Sequence, residues 1–167
     1  MEEIDPESRE IREVYARYGL AMYQVQCVER QLAILLASEY GLGPRKITRS
    51  QYDQLLQSHF KKTLGGLRHH LEKAVVLPND FEKTLRVALE KRNWLAHRYF
   101  WERAGHFVSE KGRSKMVLEL QEAIDYFENL DTKLTEISDA WARRHNITSK
   151  DLERALERII ANAEQET

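Results

Sequence analysis

The chain has 167 residues, 42% of them hydrophobic and 32% charged, with a formal net charge of -1. That length supports one domain with a real core, and the near-neutral charge argues against binding nucleic acid by simple electrostatics. Three Pro and seven Gly are too few for a turn-rich β fold, so long helices are expected.

Particular residues narrow the field further. Cys27 is the single cysteine, which excludes a disulfide within the chain. It lies in an apolar helical stripe and reads as a small buried thiol rather than a nucleophile. No apolar run is long enough to span a membrane, and the N-terminus is acidic where a signal peptide would be basic. The expected location is therefore the cytoplasm. Charge is spread unevenly: Gly43 to Lys115 holds 16 Lys and Arg against 7 Asp and Glu, and the remainder holds 10 against 20. Either the basic middle forms a local anion-binding surface, or basic and acidic helices neutralise each other in the fold.

The first helix is expected from about Pro6 to Tyr40, with Asp5 as its N-cap and Pro6 in its first turn. Val14, Tyr18, Ala21, Val25, Val28, Leu32 and Leu35 follow at alternating four- and three-residue spacings, a sustained stripe on one helical face. Gly41-Leu42-Gly43-Pro44 stops it. Shorter helical stretches are expected around Ser50 to Phe60 and from Thr63 to Val76, the second weakened by Gly65-Gly66. In it, His69 and His70 are adjacent. Neighbouring helical residues point about 100° apart and do not readily share a metal ion, so these read as solvated surface histidines.

Pro78-Asn79-Asp80 opens the next helix, whose stripe is Phe81, Leu85, Ala88, Arg92, Leu95 and Tyr99. It is expected to hold through Trp101 and to weaken towards Gly105. A last long helix follows, with Ser109 as a candidate cap. Its stripe is Met116, Leu120, Ala123, Phe127, Leu130, Leu134, Ile137 and Trp141, and its outer face is acidic. Arg143-Arg144-His145-Asn146 closes it with favourable cations. Thr148 to Asp151 is a capping-box-like start for a short final helix.

The expected architecture is all-α: an up-and-down antiparallel helical bundle of four main helices plus short ones over residues 1–147. Residues 148–167 form a short C-terminal helix that docks on the bundle or binds a partner. Three near-heptad stripes offer more apolar edge than one small bundle needs, so a homodimer is expected.

One stretch concentrates chemistry: Arg92-Asn93-Trp94-Leu95-Ala96-His97-Arg98-Tyr99, with Phe100 and Trp101 just beyond. Arg92 occupies an apolar-stripe position, where an unpaired charge is costly, so it must be paired or face a cleft or a partner. In a continuous helix Arg92 and His97 stand about 140° apart, whereas Asn93 and His97 are neighbours at i, i+4. Asn93 can thus orient the imidazole. Arg92 reaches His97 by curling round the helix, or the two meet counterparts from a second chain.

Two readings follow. In a packing reading, His97 is a satisfied core histidine and Arg92 pairs with Glu90, Glu102 or an acidic helix, with Trp94 and Trp101 as packing residues. In a chemical reading, Arg and His together suit cleavage of RNA without a metal or other cofactor. The 2′-hydroxyl is an internal nucleophile that needs a base, and the leaving oxygen needs an acid; histidine can serve as either. A guanidinium stabilises the charge gathering on the phosphate. Arg98, Tyr99, Trp94 and Trp101 are the candidate RNA or nucleotide contacts, the aromatics by stacking on bases.

Arg92-Asn93-x-x-x-His97 resembles the signature of the HEPN superfamily, an Arg followed four to six residues later by His, with a polar residue often just after the Arg. The resemblance loosely covers residues 10 to 140. It implies a helical bundle, usually dimeric, with the motif at the dimer cleft. It implies a metal-independent endoribonuclease of toxin–antitoxin or phage-defence type, with Arg92 and His97 catalytic and Asn93 accessory. Some members have no activity and bind a nucleotide or a protein partner instead. Arg92-x4-His97-x-Tyr99 is also similar to the longer motif of HEPN toxins neutralised by a nucleotidyltransferase-like antitoxin. That similarity implies Tyr99 as a modification site. The segment from Glu102 to Lys115 and the final helix have no counterpart in it.

Overall fold

The computed structural model describes residues 5–41, 48–60, 64–67 and 79–148, together with six positions between 150 and 161. Every regular element among them is helical: α1 (Pro6–Gly41), α2 (Arg49–Phe60), α3 (Asn79–His97), α4 (Tyr99–Glu102), α5 (Ala104–Phe107) and α6 (Glu110–Arg144). Residues 64–67 add a helical turn. The all-α expectation holds, and no helix among the described residues is long and apolar enough to cross a membrane. The chain divides into two compact units, Met1–Leu134 and Thr135–Thr167.

In the first unit, α1 begins where its chemistry says it should. The Asp5 carboxylate accepts the Ser8 amide at 3.0 Å, satisfying one of the orphan donors of the first turn. The Ser8 side chain first, and then this amide, hold the Asp5 carboxyl below its usual range. Val14, Ala21, Val25, Val28, Leu32 and Leu35 of the stripe are buried. Cys27 differs from its expected burial: it is only half-buried, because it sits beside the stripe rather than on its centre line. A hydrogen bond with Cys27 raises the phenol of neighbouring Tyr23 above its ordinary value.

Pairings along the long helices fix their directions. Glu10 meets Arg113, Arg17 meets Gln121 and Gln24 meets Glu128, so α1 and α6 run parallel. Tyr18 bonds the Leu95 carbonyl while Glu29 pairs with Arg92, so α1 and α3 run antiparallel. Thr84 meets Tyr126 and Tyr99 meets Met116, so the α3–α4 run opposes α6. The three long helices are therefore up, down, up. A strict four-helix up-and-down order would set the first and last helices antiparallel, and the structure departs from that expectation. The helix α2 packs on α1, and its 12 residues reach about 18 Å against about 54 Å for the 36 of α1. The shared core is Val25, Leu32, Leu85, Leu95, Met116, Leu120 and Phe127, all essentially inaccessible to solvent.

A second departure lies beside the motif. The helix expected to run through Trp101 breaks at Arg98, whose backbone turns to φ -130°, ψ -19°. No Gly or Pro marks this kink. The chain stays helical on both sides because Arg98 N–H still reaches the Trp94 carbonyl at 3.0 Å and Glu102 N–H the Arg98 carbonyl at 2.9 Å. The chain then winds through α4 and α5 and enters α6 at Ser109. As expected, Ser109 caps α6: its hydroxyl accepts the Gly112 amide at 3.2 Å. Gly112 is required there, since a Cβ would run into the backbone of His106.

In the second unit, α6 ends at Arg144 and Asn146 takes a positive φ of 56°, a conformation Asn tolerates better than most residues. Trp141 stacks on His145 with ring centroids 4.2 Å apart. The Thr148–Asp151 capping box forms, with the Thr148 amide donating to Asp151 Oδ2 at 2.9 Å and the Asp151 amide to Thr148 Oγ1 at 3.4 Å. The Thr148 hydroxyl, donating to Asp151 Oδ2 at 2.6 Å, and then the Thr148 amide hold the Asp151 carboxyl below its usual range.

Candidate functional site: the kink between α3 and α4

The motif residues face two different ways. Arg92 points inward along the stripe of α3, and its Nε lies 3.3 Å from Glu29 Oε1 on α1. Its Nη1 donates to Asn93 Oδ1 at 3.1 Å. His97 is the last residue of α3 and is exposed, as is Arg98. The separation of about 140° read from helical geometry is thus realised: one chain does not bring Arg92 and His97 together. The Asn93 side-chain oxygen serves the Arg92 guanidinium rather than the His97 ring.

The packing reading holds for Arg92, which pairs with a carboxylate from another helix, and fails for His97. His97 is a surface residue, not a core histidine. The ion-pair partner of Arg92 is Glu29, not Glu90 or Glu102. A signal for this was present in the sequence. Glu29 stands four residues after Val25 and three before Leu32, which is a core-stripe position. Two opposite charges on the core stripes of two helices are candidates for each other.

The aromatic residues divide as well. Tyr99 is a core residue at 1% exposure. Its hydroxyl donates to the Met116 carbonyl at 3.1 Å, and Trp94 meets its ring edge-on at 4.9 Å. Burial pushes its phenol above the ordinary value, and the nearby Glu119 carboxylate adds to the shift. Trp94 is half-buried, and its indole N–H donates to Glu102 Oε2 at 2.9 Å. Trp101 is the opposite case at 86% exposure. In this conformation Trp94 and Tyr99 are packing residues, and Trp101 is the aromatic that a ligand can reach.

Residues not singled out from the sequence stitch the kink together. Glu102 also receives Arg98 Nη1 at 3.5 Å. Arg103 donates to Glu119 Oε2 at 2.7 Å and lies over the Trp94 ring, 5.3 Å from its centroid. That hydrogen bond holds the Arg103 guanidinium above its ordinary pKa. What the kink leaves outward is an imidazole, a guanidinium and an indole, on His97, Arg98 and Trp101. These three can donate protons, bind phosphate and stack on a base, respectively.

Among the described residues no group of three or more His, Cys, Asp or Glu comes together that would hold a metal ion. The His69-His70 pair lies outside the described residues. A cleft of about 350 Å³ between α1 and α6, lined by Glu10, Glu13, Arg113, Ser114, Val117 and Leu118, includes none of the motif residues. Comparison with protein-family models, with curated proteins and with solved structures finds no match to this chain.

Proposed function

We propose that this chain is a HEPN-type endoribonuclease that acts without a metal as a homodimer, in a toxin or phage-defence role. The observation that carries the reading is the outward placement of His97, Arg98 and Trp101 on consecutive turns at the α3–α4 kink. A symmetric pair of chains supplies two imidazoles, one to take the 2′-hydroxyl proton and one to protonate the leaving oxygen. Arg98 holds a neighbouring phosphate, and Trp101 stacks on an unpaired base. Arg92 stabilises the charge on the scissile phosphate once its guanidinium turns from Glu29. Asn93 keeps that guanidinium in place, while Trp94 and Tyr99 support the site from beneath. A nucleotidyltransferase-like antitoxin that modifies Tyr99 acts only after the α4 segment lifts from α6.

The test is cleavage of single-stranded RNA in EDTA. The expected products carry 2′,3′-cyclic phosphate ends, and Arg92→Ala and His97→Ala abolish their formation while the helical circular dichroism is kept. Cleavage that survives both substitutions overturns the reading. A second reading is a non-catalytic helical module that binds a nucleotide or a protein partner. It is favoured by the Arg92–Glu29 pair and the burial of Tyr99, which give both residues packing roles. It predicts binding without turnover.

A further inference from the structure

Arg92 is a cation already in use. Its Nε lies 3.3 Å from Glu29 Oε1, and the two side chains are only 19% and 21% exposed. Yet Arg92 Nε is buried with no aligned hydrogen bond. The carboxylate sits close enough to neutralise the guanidinium and is badly aimed to orient it. A carboxylate that serves to position an arginine takes the two-pronged, in-line arrangement instead. Glu29 is itself tethered, because Oε1 also accepts the Leu64 amide at 3.1 Å.

We infer that Glu29 is a built-in counter-anion that competes with an RNA phosphate for Arg92. This rests on reading Arg92 as a phosphate-binding residue. Two anions on one half-buried guanidinium repel each other at short range with little screening. A phosphodiester that engages Arg92 therefore displaces Glu29 and breaks its bond to the Leu64 amide. Until a substrate does so, the site is held in a low-affinity state by the protein's own carboxylate. Glu29 acts through Arg92 and touches no reacting atom.

The experiment uses the full chain and a single-stranded 2′-O-methyl RNA oligonucleotide, which lacks the attacking hydroxyl, with binding read by fluorescence anisotropy. Glu29→Gln removes the charge and keeps an oxygen for the Leu64 amide. It is expected to bind roughly tenfold tighter at low salt, the size expected from neutralising one charge beside an anion site. The slope of log affinity against log salt steepens by about 0.7, the increment for one more phosphate contact on a single strand. Glu29→Asp stays near the unaltered protein, and adding Arg92→Ala to Glu29→Gln removes the gain. Binding by Glu29→Gln that is unchanged or weaker, or a gain that survives Arg92→Ala, overturns the inference. If Glu29→Gln does not fold, the Arg92 Nε–H resonance of the unaltered protein decides: it shifts when the oligonucleotide is added, and a static resonance overturns the inference. Cleavage of unmodified RNA is scored separately. Tighter binding by Glu29→Gln without any cleavage overturns the nuclease reading alone, and cleavage with unchanged binding overturns the counter-anion alone.

Discussion

The Tyr99 hydroxyl donates a hydrogen bond to the carbonyl oxygen of Met116 at 3.1 Å, joining the kink after α3 to the first turns of α6. The ring is equally committed, stacked on Tyr18 at 6.0 Å and meeting Trp94 and Phe100 edge-on. Removing only the hydroxyl, in Tyr99→Phe, is expected to cost about 1 kcal/mol, the net value of one neutral hydrogen bond. Removing the ring, in Tyr99→Ala, is expected to cost about 3–5 kcal/mol, because a cavity is left among residues that cannot all collapse into it. Urea denaturation followed by circular dichroism separates the two. Equal losses for Phe and Ala would show that the ring is not packed as described.

The same phenol sets an alkaline limit on stability. Its folded pKa is raised by burial, so the folded chain keeps this proton after the unfolded chain has lost it. The folded state then binds more protons, and stability falls as pH rises past the ordinary tyrosine value of about 10. Tyr126 is raised by burial too and contributes in the same direction. Below that pH neither group makes stability depend on pH. Tyr99→Phe is expected to flatten the decline of the urea midpoint between pH 9 and 11 without removing it. An unchanged slope would show that Tyr99 ionises freely in the fold.

How far these relationships were legible depends on how local they are. Asp5, Ser109 and the Thr148–Asp151 box act within one turn, and the structure has them where the residue pattern puts them. The buried stripe of α1 is similarly a matter of spacing on one helix. The direction of α6 against α1 was not legible, since it is set by connections and not by any stripe. The kink at Arg98 was hidden because its hydrogen bonds continue across it and no Gly or Pro announces it. In the motif, the divergence of Arg92 and His97 followed from helical geometry alone. The identity of Glu29 did not, because it needs α1 and α3 placed side by side.

Arg113 tests the joint between α1, α5 and α6. Its side chain is 6% exposed, with Nε on Glu10 Oε2 at 2.8 Å and Nη1 on the Phe107 carbonyl at 3.2 Å. Glu7 lies 3.5 Å away but is 68% exposed, so solvent screening leaves that contact little weight. Arg113→Met keeps much of the stem packing and removes the charge, leaving two partly exposed carboxylates that water can reach. The expected loss is about 1–3 kcal/mol, below the 3–5 kcal/mol of a fully buried broken pair. Arg113→Lys is expected to recover only part of it, since an ammonium lacks the fork that serves a carboxylate and a carbonyl together. Thermal melts of the three proteins check the order. A lysine variant as stable as the original would show that charge alone holds the joint.

Trp101 separates binding from stability more cleanly than any other residue at the kink. At 86% exposure it contributes little packing, so Trp101→Ala is expected to change stability by no more than about 0.5 kcal/mol. Under the nuclease reading the same substitution removes a stacking platform worth roughly 1–3 kcal/mol, or about 5- to 150-fold in RNA affinity. Trp101→Phe retains a smaller platform and is expected to fall between. Stacking is indifferent to base identity, so the loss should be similar on oligonucleotides of different sequence. The loss should also leave the salt dependence unchanged, because an indole contacts no phosphate. Arg98→Ala is its counterpart: it weakens binding and lowers the salt slope by about 0.7. An RNA affinity unaffected by Trp101→Ala would show that the exposed indole does not stack on a base and would remove it from the substrate site.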